Sequence, residues 1–211
     1  MLISYETLGV FIATSIALGM APGPDNIFVL TQSALYGRKA GFAVTLGLCT
    51  GLLVHTAAVV FGVAVLFQTS ELAFTALKFI GAAYLIYLAY GAFRASRADL
   101  SVSERPNGAI SLRQLYGRGI IMNITNPKVA IFFLAFLPQF ADPALGPISL
   151  QMFAFGGVFI AVTLIVFGSV VIGAGYLGNW LRHSPKAQMI MNRIAGVIFV
   201  GLAARLATAQ L

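Results

Sequence analysis

Six apolar runs divide this chain, and each is near or above the roughly 20 residues that an α-helix needs to cross hydrocarbon. They cover about Ser4 to Tyr36, Gly41 to Phe67, Leu72 to Phe93, Leu115 to Phe140, Ser149 to Tyr176 and Met189 to Thr208. Hydrophobic residues make up 59% of the sequence and charged ones 9%, more apolar surface than a soluble core of 211 residues can hide. Lipid is then the solvent for much of the chain, and a lipid-exposed backbone must pair its own polar groups, which selects helices. The expected fold is an all-α integral membrane protein in a single domain, 1–211. It has six transmembrane helices as two inverted three-helix repeats, 1–93 and 115–211, around a cytoplasmic linker at 94–114.

Charge sets the expected orientation. The net charge of +7 does not point to nucleic acid, because the basic residues collect in short loops between apolar runs. Arg38, Lys39, Arg94, Arg97, Arg105, Arg113, Arg118, Arg182, Lys186 and Arg193 fall on one side of a six-span arrangement, ten of the thirteen Lys and Arg. Glu6, Glu71 and Asp142 fall on the other, with only Lys78 and Arg205 near them. Loops rich in Lys and Arg stay in the cytoplasm, so both termini are expected on the non-cytoplasmic side. Gly19-Met20-Ala21 has the form of a cleavage site, but Glu6 sits where a signal peptide carries positive charge, so cleavage is not expected.

Two stretches interrupt the apolar runs, so that the first and fourth helices are expected to be broken. In Ala21-Pro22-Gly23-Pro24-Asp25-Asn26, neither proline can continue a helix undisturbed, and Gly23 lets the chain turn between them. Asp25 is placed to cap the helix that restarts at Asn26. Asn126-Pro127-Lys128 breaks the fourth run, among the polar side chains of Asn123 and Thr125. Shifting the second half back by 103 positions lays Pro127 on Pro24 and Lys128 on Asp25, while Ile80-Gly81-Ala82 matches Ile194-Ala195-Gly196 at a nearby shift. Corresponding breaks in two repeats point to a transporter's binding site.

Each charged residue admits a plain reading beside the functional one. Asp25 can be only a cap at a proline kink, and Lys128 can snorkel to an interface. The functional reading is a substrate or proton site that also takes in Asn26, Asn123 and Asn126, in which the two opposite charges meet or nearly meet and offset each other's burial. Such a pair suits a zwitterion, its amine near Asp25 and its carboxylate near Lys128. His55 shares a helical face with Gly47, Gly51, Ala58 and Gly62, which suits either close packing or a proton relay, since imidazole changes charge near neutral pH. The glycine face serves internal packing or a homo-oligomer equally well. Tyr84 is deep enough to line a cavity, whereas Tyr87 and Tyr90 suit an interfacial anchor.

Ala21–Asn26, Gly37-Arg38-Lys39-Ala40-Gly41, Gly51-Leu52-Leu53-Val54-His55, Leu77–Leu85 and Asn126-Pro127-Lys128 followed by Phe132–Phe140 together resemble the LysE/RhtB amino-acid exporters over nearly the whole chain. The resemblance implies a bacterial inner-membrane secondary transporter, not an enzyme, that exports amino acids by proton antiport. It implies no cofactor beyond the proton gradient. Because Lys128 opposes Asp25, neutral or homoserine- and threonine-like cargo is expected. The alternative is a metal-cation exporter of a related superfamily, but one carboxylate is a poor ligand set for a hard cation. One cysteine, Cys49, and two histidines, His55 and His183, offer no catalytic or resident metal cluster.

Overall fold

The computed structural model describes residues 2–21, 23–63, 71–94 and 111–208. Pro22, most of the 94–114 linker and the end of the second apolar run lie outside the described residues. The described chain forms α1 (Tyr5–Met20), α2 (Pro24–Tyr36), α3 (Arg38–Ala58), α4 (Glu71–Arg94), α5 (Leu112–Ile124), α6 (Pro127–Ile131), α7 (Ile148–His183) and α8 (Pro185–Thr208). A π-helical turn, Val59–Val63, extends α3, and α6 runs on through a second, Phe132–Phe136, into a 3-10 turn at Leu137–Phe140.

Four of these helices, α3, α4, α7 and α8, are each long and apolar enough to span a membrane. The pairs α1–α2 and α5–α6 make two more spans if each is taken as one, bent by 62° and 51° at the proline motifs. The chain is therefore a multi-pass membrane protein. Large apolar side chains on its outside, including Leu53, Phe79, Ile80, Ile86, Phe153 and Ile165, face where lipid would be.

Local sequence explains the helix limits. Gly37, at φ 84°, makes the left-handed turn between α2 and α3 that a side chain would resist. Ser111 and Gln114 form a reciprocal capping box that starts α5. The fifth run ends later than its hydropathy suggests. α7 continues to His183, about 54 Å at 1.5 Å per residue, until Pro185 forces Ser184 out of the helical region.

Packing is closest where glycines remove bulk. α3 lies against α5, and a Cβ built on Gly47 would collide with the Tyr116 carbonyl. A Cβ on Gly119 would lie 2.5 Å from the Val44 carbonyl, and one on Gly51 would lie 2.7 Å from the Asn123 side chain. The expected glycine face is thus used internally, but only as far as His55. Ala58 and Gly62 are exposed, because α5 ends at Ile124 and leaves them no helix to pack on. α4 and α8 form a second close pair, and α7 packs on α1, α2 and α3. Phe11, Phe132, Phe136, Phe140, Phe155 and Phe159 stack into an aromatic core, with the Phe11 and Phe155 rings 4.6 Å apart.

Candidate functional site

The two proline breaks come together in the middle of the bundle. Pro24 occupies the first position of α2, where its fixed φ suits a helix and its missing N–H is not needed. The helix therefore begins ahead of Asp25, with Gly23 as an N-cap that makes no side-chain bond. The expectation that Asp25 caps a helix restarting at Asn26 is corrected on this point. Asp25 sits in the first turn, where the helix dipole still favours its charge, and its side chain crosses to the other break. There Asn126 Nδ2 donates to Asp25 Oδ2 at 2.9 Å.

Asn126 is itself a cap. Pro127 opens α6 as Pro24 opens α2, and Asn126 Oδ1 accepts from the backbone N–H of Lys128 at 3.0 Å. One amide thereby starts its own helix and braces the other break. Sequence reading placed Asn126 at the break and among the candidate substrate or proton-site residues, but not as a cap. The N-cap preference of Asn immediately before Pro at the first helical position was the signal available.

Lys128 answers a need created by the prolines. The carbonyl of Leu18 would ordinarily accept from residue 22, but proline has no N–H to give. Lys128 Nζ donates to the carbonyls of Leu18 at 3.4 Å and Ala21 at 3.3 Å, placing a cation at the negative end of α1. Asn26 Nδ2 serves the neighbouring Gly19 carbonyl at 2.7 Å. Gly23 makes room for this arrangement, since a Cβ there would lie 3.1 Å from Nζ. Asp25 and Lys128 are both buried and close, but no direct hydrogen bond joins them; Asp25 Oδ1 has no partner among the described residues.

His55 plays the matching part at the end of α5. Its Nε2 lies 3.1 Å from the Asn123 carbonyl, and its ring packs 5.7 Å from that of Phe133. Each broken span thus has a carbonyl near its break contacted by a side chain from a distant helix.

A cavity of about 610 Å³ adjoins the breaks. Gly23, Pro24 and Ile27 form one side, Tyr84, Tyr87, Leu88, Gly91 and Ala92 of α4 another, and Asn192 and Phe199 of α8 a third, with Asn126, Pro127 and Lys128 at the inner end. Most of this wall is apolar. Lys128 is its one charged side chain among the described residues. Asp25 and Asn123 instead border a separate void of about 20 Å³, which Lys128 also touches.

The LysE type translocator family matches residues 16–210. The chain belongs to this family. It is 34% identical over 208 residues to the homoserine/homoserine lactone efflux protein of Salmonella typhimurium, covering 98% of each chain. An uncharacterized membrane protein of Vibrio cholerae is 32% identical over 200 residues, 95% of this chain and 96% of its own. No solved structure matches.

In this LysE-type translocator the expected site residues divide into three groups. Asp25, Asn126, Lys128 and Asn26, with Gly23, Pro24 and Pro127, form the meeting point of the breaks; Pro22 lies outside the described residues. Tyr84 lines the cavity as expected, and Tyr87, expected as an anchor, lines it too. His55 and Asn123 stand behind the breaks, off the cavity wall. Asn192, Phe199 and Thr163 were not singled out from sequence. A lone amide early in the sixth apolar run was the one cue, and it marks Asn192.

Proposed function

We propose that this translocator exports neutral amino acids of the homoserine or threonine kind from the bacterial cytoplasm across the inner membrane, in exchange for protons. The cavity between α2, α4 and α8 holds the cargo. The observation that carries this reading is its wall, on which the one charge among the described residues is the Lys128 ammonium, beside the amides of Asn126 and Asn192 and the Tyr84 ring. A cargo carboxylate has a partner in Lys128, whereas no carboxylate among the described residues lines the wall to meet a second cation such as the side chain of lysine. Asp25 borders the void and is screened from the cargo, a refinement of the zwitterion scheme. The name of the Salmonella relative supports the same cargo class. Among the described residues no three His, Cys, Asp or Glu side chains cluster, so nothing favours the metal-ion alternative.

The orientation follows from the basic loops, with both termini outside. The cavity residues on α4 and α8 then lie towards the cytoplasm, and the phenylalanine core around Phe11, Phe140 and Phe155 closes the opposite side. That is an inward-facing state of a transporter. An inverted repeat is supported by the packing of α4 on α8. Gly81 receives Leu206, and Gly196 receives the ring of Phe93, so each helix offers a glycine to a large side chain near the other's far end. Labelling of single cysteines near the termini by an impermeant reagent in intact cells checks the orientation, and labelling only after lysis sinks it.

Everted membrane vesicles carrying a proton gradient test the function. Labelled homoserine or threonine is expected to accumulate, and lysine or divalent metal ions are not. Uptake of lysine or metal without homoserine, or normal homoserine uptake by the Asp25→Asn, Lys128→Met double variant, overturns the reading.

A further inference from the structure

The small void beside Asp25 has unmet polar demands on its walls. Its volume, about 20 Å³, suits one water molecule. Leu18, Gly19, Asp25, Asn123, Lys128 and Thr163 border it. Asp25 is 4% exposed, and its Oδ1 accepts from no protein group. Asn123 is 3% exposed, and its amide oxygen is likewise without a partner. Lys128 has three N–H donors, of which two go to the Leu18 and Ala21 carbonyls. An acceptor without a donor and a donor without an acceptor therefore border one water-sized space. A water there donates to Asp25 Oδ1 and accepts from Lys128 Nζ.

We propose that this void holds a single water that relays a proton between Asp25 and Lys128, so that the coupling site is distinct from the cargo cavity and joined to it only through Lys128. The proposal rests on the proton-antiport reading above. In the empty transporter the pair is a carboxylate and an ammonium bridged by the water. Once cargo has left, Asp25 Oδ1 takes a proton from outside, and Lys128 gives one of its own protons up to the cytoplasmic cavity. The O–H bond at Asp25 Oδ1 then breaks and its proton passes to the water oxygen. One of the water's own O–H bonds breaks in turn, and that proton re-forms the third N–H bond of the ammonium. Water is regenerated, charge is conserved, one proton has crossed, and the pair is ready for the next cargo carboxylate.

Apart from the pair, the described groups that border the void carry no titratable side chain. α1 brings Leu18 and Gly19, α3 brings Leu48 and Leu52, α5 brings Asn123, α6 brings Val129, and α7 brings Phe159, Thr163 and Phe167. His55, which does not border the void, places its Nε2 against the Asn123 carbonyl.

The test uses full-length protein in proteoliposomes with labelled homoserine. Thr163→Leu and, separately, Leu48→Phe fill the void with side chains that neither join the relay nor border the cavity. Homoserine–homoserine exchange without a gradient is expected to persist, whereas accumulation driven by a pH gradient is lost. Accumulation that persists in both variants overturns the relay. Where a variant also loses exchange, difference infrared spectroscopy of the unaltered protein decides. Acidification should raise a protonated-carboxyl band that is absent from Asp25→Asn, and a band that never appears overturns the proposal. If the unaltered protein exchanges homoserine but no pH gradient drives its accumulation, the antiport reading itself fails.

Discussion

Asn126→Ala should be among the most damaging truncations of a small side chain in this protein, because it removes two bonds of different kinds. Loss of the Oδ1 cap on the Lys128 amide should cost about 0.5–2 kcal/mol, the usual range for such caps. Loss of the 2.9 Å bond to Asp25 takes the one protein donor from a buried carboxylate, and bonds to charged groups contribute about 1.5–3 kcal/mol. Interhelical bonds in membranes run lower, about 0.6 kcal/mol on average and up to about 1.7, because the unfolded chain also finds partners. We therefore expect a combined cost of about 2–4 kcal/mol. Reversible unfolding in mixed micelles reads it, and Asn126→Ser, which keeps a capping oxygen, should recover the cap's share. In an Asp25→Ala background no bond to residue 25 remains, so Asn126→Ala should cost about 1 kcal/mol there, the cap alone. Equal costs in the two backgrounds, or a cost below about 0.5 kcal/mol in both, would refute the account of Asn126 as a brace between the breaks.

Two glycines give contrasting predictions. Gly47→Ala forces α3 and α5 apart at the Tyr116 carbonyl and should destabilise by about 1–3 kcal/mol, read as a lower melting temperature. Gly157→Ala, whose added Cβ meets nothing within 4 Å, should melt like the unaltered protein, and equal behaviour of the two contradicts the packing. Gly91 lines the cargo cavity and also has open space around its Cβ position. Gly91→Leu should therefore fold normally but raise the KM for homoserine or block its export, and unchanged transport would place the cargo elsewhere.

Much of this arrangement was legible because membranes permit so few solutions. Apolar runs longer than a bilayer is thick fixed the spans, and paired prolines fixed where two of them break. The direction of side chains across the breaks was not legible. Whether Asp25 caps its own helix or reaches Asn126 depends on Pro24 taking the first helical position, a difference of two residues that hydropathy does not resolve. The partners of Lys128 were hidden for a related reason. An orphaned Leu18 carbonyl can be deduced from Pro22, but the residue that meets it lies 110 positions away. The glycine face of α3 was read correctly at Gly47 and Gly51 and too far at Gly62, since no pattern in α3 says where α5 stops.

The bracing of one break by residues of the other also sets an order for biogenesis. Asp25 and Asn126 are 101 residues apart, and Ala21 and Lys128 are 107. At about 5–20 residues per second, the ribosome needs about 5–20 s to supply the missing partners. Through that interval the nascent first break has a carboxylate and two carbonyls with no protein donor, so it matures only when the second arrives. Expressed as separate fragments, the two breaks would each carry an unsettled wound into the bilayer, and only co-expression would close both.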